Sequence, residues 1–185
     1  MDITARFLEK FREFRSRKFE KVGKLFVRLG ISANLATSLS IICGIIAVYF
    51  LFQDLLLFII FAVFHLLLDG FDGIIARAAN KTSRFGEYFD HIGDSLIGLL
   101  LIGKVWWVLR DYYVLIIIGL FLLMNLVHFF SRLNYPWTNF RTVVILLLMF
   151  NLPTISYLAA GVITVYALAL QFKHFIEKSF PRRNN

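Results

Sequence analysis

Four aspartates, Asp69, Asp72, Asp90 and Asp94, stand within 26 residues of a chain that is otherwise largely hydrocarbon, in the stretch DGFDGIIARAANKTSRFGEYFDHIGD. A carboxylate inside a membrane segment costs roughly 2.5–3.5 kcal/mol on insertion scales, so four together require a compensating cation or proton. Asp69 and Asp72 are three apart, Asp90 and Asp94 four apart. On helices those spacings put each pair on one face, and a polar turn at Asn80 to Arg84 lets the two pairs confront each other across a hairpin. Converging carboxylates select hard cations, Mg2+, Mn2+ or Ca2+. Because Mg2+ tends to keep waters and complete its shell with substrate phosphates, the pattern points to phosphate chemistry rather than to a structural ion. Gly73 follows Asp72, and Gly86 lies one helical turn before Asp90. Glycine weakens a helix interior, so these positions mark either a close approach to the backbone or helix packing through small residues. Arg77 can fork onto a phosphate or pair with an aspartate.

The elements that must carry these residues are membrane helices. The chain has 185 residues, 59% of them hydrophobic, 21 phenylalanines and a mean hydropathy of +0.73, too apolar for a soluble domain and too short for two large ones. Apolar runs predict spans over Ala33–Phe52, Leu55–Ala79, Phe85–Val108, Tyr113–Leu133, a short one over Thr142–Phe150, and Thr154–Ile176. The expected fold is therefore all-α, an integral membrane six-helix bundle over residues 31–180. Ahead of it, residues 1–30 carry Phe7, Leu8, Phe11, Phe14, Phe19, Val22, Leu25 and Phe26 at near-helical spacing among nine Lys and Arg residues, with no long apolar run of the signal-peptide kind. That composition predicts an amphipathic helix lying in the headgroup plane.

The net charge of +8 could suggest nucleic acid, but the basic residues sit at the termini and between apolar runs. The expected partner is an anionic membrane surface, with no nucleic acid. Placing the N-terminus in the cytoplasm puts every Lys and Arg except Lys104 and Arg110 on that side, together with the C-terminus and the aspartate motif. Cys43, the single cysteine, lies in an apolar run and is expected to be buried. Trp106, Trp107, Tyr112 and Tyr113 read as an outer aromatic belt.

Asp69, Asp72, Gly73, Ala76, Arg77, Gly86, Asp90 and Asp94 fall at the spacing of a known signature. Without a gap or substitution the run resembles the motif of the CDP-alcohol phosphotransferases, integral membrane enzymes of phospholipid synthesis. The resemblance implies that Asp69, Asp72 and Asp90 hold one or two divalent ions, Mg2+ or Mn2+, that bridge the pyrophosphate of a CDP-linked donor. Asp94 is implied as the general base that deprotonates the acceptor hydroxyl, also touching a metal, and Gly73, Ala76, Arg77 and Gly86, with Asp69, as the lining of the nucleotide pocket. The family's Pro-Asn-x-x-Thr pattern at the start of the first span appears here with Ala33 in place of proline, so Asn34 and Thr37 are further nucleotide candidates. A homodimer is also implied.

An alcohol is a poor nucleophile at neutral pH, so the chemistry itself calls for a carboxylate to accept its proton and for cations to stabilise the departing phosphate. Arg132 and Arg141 flank a loop between spans and are candidates for an acceptor-phosphate pocket, His91 a candidate for meeting the acceptor; ordinary anchoring and packing are the alternatives. His65, one turn before Asp69, either tunes a carboxylate or packs. The chain's size and the two arginines favour a CDP-diacylglycerol-like or ether-lipid donor and a small polar alcohol acceptor. The segment GEYFDHIGDS also resembles the branch in which a CDP-aminoalcohol donates to diacylglycerol. A divalent-cation transporter is the competing class, disfavoured by clustering of the acids near one face, the basic lining of that face and the glycines.

Overall fold

The computed structural model describes residues 19, 21–79, 83–131 and 140–179, apart from the side chains of residues 130, 131, 174 and 177–179. Among the described residues the secondary structure is helical throughout. A short helix α1 covers residues 21–28, followed by α2 (Ala33–Phe50), α3 (Leu55–Ala78), α4 (Arg84–Leu109), α5 (Tyr112–Ser131), α6 (Phe140–Met149) and α7 (Pro153–Ser179). Five of these, α2, α3, α4, α5 and α7, are long and apolar enough to cross a bilayer. The fifth expected span, Thr142–Phe150, corresponds to α6, whose 10 residues are short for a crossing, so among the described residues five helices rather than six reach spanning length. Most of the expected amphipathic helix lies outside the described residues, and only residues 21–28 of it form α1.

Polar residues at the helix ends set the boundaries. Ser32 caps α2 by accepting from the Leu35 amide at 3.2 Å, and Asp54 caps α3 through the Leu57 amide at 3.0 Å. Ser83 accepts from the Gly86 amide at 3.0 Å where α4 begins. Each such bond satisfies one amide that a helix start leaves open, which matters more where water is scarce. The connections leading into α3, α5 and α7 are short, and each holds one residue at positive φ: Phe52 (68°), Arg110 (57°) and Asn151 (56°). A side chain there costs about 1–2 kcal/mol, least for asparagine. Pro153 then opens α7, where a missing amide hydrogen is no loss.

The chain divides into two compact units, Met1–Leu100 and Leu101–Asn185. In the first, α2 lies along α3, burying Ala36, Thr37, Ser40, Gly44 and Ala47 of the one and Phe58, Ala62, His65, Asp72, Ile74 and Ile75 of the other. Small residues on α2 let the backbones approach, as membrane helices do in place of a hydrophobic drive. A Cβ at Gly23 of α1 would come within 2.9 Å of both Ala78 Cβ and Ile74 Cγ2, so α1 rests its glycine directly on α3. Phe26 adds a tilted ring contact with Phe71 at 5.6 Å.

In the second unit, Val114, Ile117, Phe121 and Met124 form the buried stripe of α5, at the spacing of one helix face. Ile117 meets Gly161 of α7, Phe121 stacks on Phe140 of α6 at 4.3 Å, and Gln171 Nε2 donates to the Met124 carbonyl at 3.3 Å. Tyr112 and Tyr113 are exposed, and the Arg110 guanidinium lies 4.3 Å above the Trp107 ring, an arrangement suited to the expected aromatic belt. Cys43 of α2 is half-buried rather than fully buried, because its position falls at the edge of the face turned to α3.

Candidate metal centre

The end of α3 and the start of α4 supply the acids. Asp69 and Asp72 lie in the last three turns of α3, and Asp90 and Asp94 in the first half of α4. The fold brings Asp69, Asp72 and Asp90 together, each offering one carboxylate oxygen, all within 4.8 Å of one another. Asp72 is the most deeply placed, at 8% exposure, while Asp69 and Asp90 are half-buried. Oxygens around a cation with 2.1 Å bonds are about 3.0–4.2 Å apart in an octahedral shell, so this donor set fits a hard divalent ion after sub-ångström adjustment. All three donors are carboxylate oxygens, the chemistry that such ions prefer over softer metals. Asp94 lies one turn further along α4, half-buried and outside the three-oxygen set.

Asp72 is held from α2. Thr37, 5% exposed, donates from Oγ1 to Asp72 Oδ2 at 2.7 Å; its own helix offers the Ala33 carbonyl at 3.1 Å. One hydroxyl carries one proton, and the shorter bond to a carboxylate is the stronger acceptor. A neighbour that fixes a ligand carboxylate in one orientation sharpens a metal site without touching the ion. The family resemblance makes Thr37 a candidate for the nucleotide, and in the structure its hydroxyl donates to Asp72 of the acid cluster.

One turn deeper in the same seam, Ser40 and His65 form a reciprocal clasp. His65 Nδ1 is 2.8 Å from the Ser40 carbonyl and 2.8 Å from Ser40 Oγ, while Ser40 Oγ lies 2.9 Å from the His65 carbonyl. A carbonyl only accepts, so Nδ1 carries a proton and donates to Ser40, and the serine hydroxyl donates back to the His65 carbonyl. His65 is buried and joins α3 to α2 through Nδ1. Sequence reasoning did not single out Ser40. Its signal is its place three residues after Thr37, on the same face of α2.

The other candidates fall into two neighbourhoods. Arg77 folds back along α3, so that a Cβ at Gly73 would stand 3.5 Å from both of its terminal nitrogens. Gly86 lies beside Asn34, whose Oδ1 would be 3.5 Å from a Cβ at that glycine, and this sets the first turn of α2 against the first turn of α4. Asn34 and Arg77 are exposed, while Ala76 and His91 are half-buried. Arg141 is buried in the first turn of α6, within the second unit. Arg132 lies outside the described residues.

Sequence comparison agrees with this geometry. The model of the CDP-alcohol phosphatidyltransferase family matches residues 30–173, which include every element of the acid cluster. Archaetidylinositol phosphate synthase of Pyrococcus horikoshii is 34% identical over 107 residues, covering 54% of this chain and 57% of the relative. The chain thus spans little more than half the length of that curated relative. With the family match extending over most of its residues and the acid cluster assembled between its apolar helices, the chain belongs to the CDP-alcohol phosphatidyltransferase family of multi-pass integral membrane proteins.

Proposed function

We propose that the protein transfers a phosphatidyl-type group from a CDP-linked lipid to the hydroxyl of a small polar alcohol, releasing CMP. The observation that carries this reading is the convergence of Asp69, Asp72 and Asp90 in a family whose description names that transfer. These three residues would hold one or two divalent ions, Mg2+ or Mn2+, with Ca2+ a further hard cation able to bind. The bound ions would neutralise the donor pyrophosphate and the departing CMP phosphate.

We assign the other residues from the family resemblance and, for Asp94, Gly73, Arg77, Gly86, Asn34 and Thr37, also from their positions. Asp94, one turn from Asp90 and outside the three-oxygen set, accepts the proton from the acceptor hydroxyl as its oxygen bonds to the lipid-linked phosphorus. The phosphorus–oxygen bond to CMP breaks in the same displacement, and CMP leaves as the phosphate anion. Gly73 with Arg77, Gly86 with Asn34, and Ala76 line the nucleotide side, and Thr37 orients Asp72 there. His91, Arg132 and Arg141 are the acceptor-side candidates. The relative is named for archaetidylinositol phosphate, which favours an inositol phosphate acceptor and a CDP-archaeol donor. The GEYFDHIGDS segment supports a CDP-aminoalcohol donor as the second reading. The same reading takes residues 31–180 as the catalytic domain and residues 1–30 as its interfacial helix. It puts both termini and the site at the cytoplasmic face, as the Lys and Arg distribution favours, and has the chain act as a homodimer.

The test is CMP release by the purified protein in detergent with Mg2+ or Mn2+ and a panel of donors and acceptors. CMP appearing with a CDP-linked lipid and one polar alcohol is the expected result, and CMP appearing only with a CDP-aminoalcohol and diacylglycerol selects the second reading. No CMP with any pair, combined with metal flux in liposomes, would reassign the acids to transport.

A further inference from the structure

Helix α4 carries Asp90 and Asp94 on either side of Gly93, a buried residue outside the family signature. A Cβ built at Gly93 would lie 2.7 Å from Cδ1 and 2.9 Å from Cγ1 of Ile41 on α2. The reverse seat is one turn further on: a Cβ at Gly44 of α2 would lie 2.8 Å from Cδ1 and 2.9 Å from Cγ1 of Ile97 on α4. Asn34 against Gly86 and Ile41 against Gly93 keep one sequence offset, so α2 and α4 run parallel and in register past the acid cluster. Thr37, which holds Asp72, sits on α2 between Asn34 and Ile41. Helix α2 therefore touches both halves of the centre, through a hydroxyl on the α3 side and through an isoleucine in a glycine seat on the α4 side.

We propose that Gly93 is a positioning residue: by seating Ile41 it sets how closely Asp90 on α4 approaches Asp69 and Asp72 on α3, and so which size of divalent ion the centre accepts. This rests on the metal role of the acid cluster. The magnitudes support it. Bringing a new Cβ from 2.7 Å to an ordinary contact of 3.4 Å needs a shift of about 0.7 Å. Rotating χ2 of Ile41 moves only Cδ1 and leaves Cγ1 too close, and a β-branched residue in a helix has one strongly preferred χ1, so the shift falls mainly on α4. The difference between bonds to Mg2+ at about 2.0–2.1 Å and to Ca2+ at about 2.3–2.6 Å is smaller than that displacement. A wider centre disfavours the small, rigidly octahedral ion first.

The experiment measures Mn2+ binding to the detergent-purified full chain by electron paramagnetic resonance, with Mg2+ and Ca2+ as competitors. Gly93→Ala is expected to weaken Mn2+ binding on the order of 10–100-fold, the range seen when a ligand's support is disturbed, and to shift competition towards Ca2+. Ile41→Ala in the Gly93→Ala background empties the seat and is expected to restore both. Ile41→Phe approaches from the other side, enlarging the knob with the seat intact, and is expected to reproduce the loss if Gly93→Ala does not fold. Wild-type Mn2+ affinity in a folded Gly93→Ala protein, or no recovery in the double variant, overturns the proposal. Absence of Mn2+ binding in the wild type would instead overturn the metal reading beneath it, and Mn2+ binding without CMP release would overturn only the transfer.

Discussion

Both units bury hydroxyls, and they use them differently. In the second unit Ser156 donates to the Pro153 carbonyl at 2.7 Å and Thr164 to the Ala160 carbonyl at 2.7 Å, so each proton goes back to its own helix. In the first unit Thr37 donates across the seam to Asp72, and Ser40 donates across it to the His65 carbonyl. A hydroxyl bonded to its own backbone is satisfied at little cost and specifies nothing beyond its helix. One that reaches another helix fixes register, and one that reaches a carboxylate also fixes chemistry. Carboxylates show the same contrast: Asp111 accepts from the Tyr113 amide and from the Tyr157 hydroxyl, whereas Asp69, Asp72 and Asp90 face one another. Burial of a polar group is thus a poor marker of a site; the partner to which its proton goes is the better one.

Substitutions can break that contrast. The largest effect is expected at Asp94→Asn, which keeps size and geometry but removes the proton acceptor. CMP release should fall by about 10²–10⁴-fold while Mn2+ binding is retained, as measured by single-turnover kinetics beside a binding titration. Near-normal turnover would remove Asp94 from the base role. Thr37→Val comes next, with Mn2+ affinity falling by about 10–100-fold and Thr37→Ser recovering it. Nucleotide affinity lost with unchanged metal affinity would return Thr37 to the nucleotide pocket. The smallest effect is expected in the other unit: Thr164→Val loses only a bond within its own helix, so metal affinity and CMP release should match the wild type. A loss of metal affinity there as large as for Thr37→Val would mean that a hydroxyl's partner does not mark the site.

Hydropathy located the helices well, because membrane length and apolar content are properties of consecutive residues. The expected spans Leu55–Ala79 and Phe85–Val108 correspond to α3 at Leu55–Ala78 and α4 at Arg84–Leu109. The fifth expected span is the shortest of the six, and the matching helix α6 is the shortest after α1, because the apolar run between Asn139 and Asn151 is short. The acids and their pairing by face were also legible, since a spacing of three or four residues is itself a statement about direction on a helix.

The linear chain by itself therefore determined that this is a helical membrane protein with a carboxylate cluster of the CDP-alcohol kind. It could not determine which of the four aspartates converge, because that depends on the distance and rotation between α3 and α4. Nor could it show that Thr37 serves Asp72, that Ser40 and His65 lock the seam below, or that Gly93 receives Ile41. Those contacts join residues 25 to 52 positions apart, and local periodicity carries no record of which side chain stands opposite which. Only the packing of α2 against both α3 and α4 decides it.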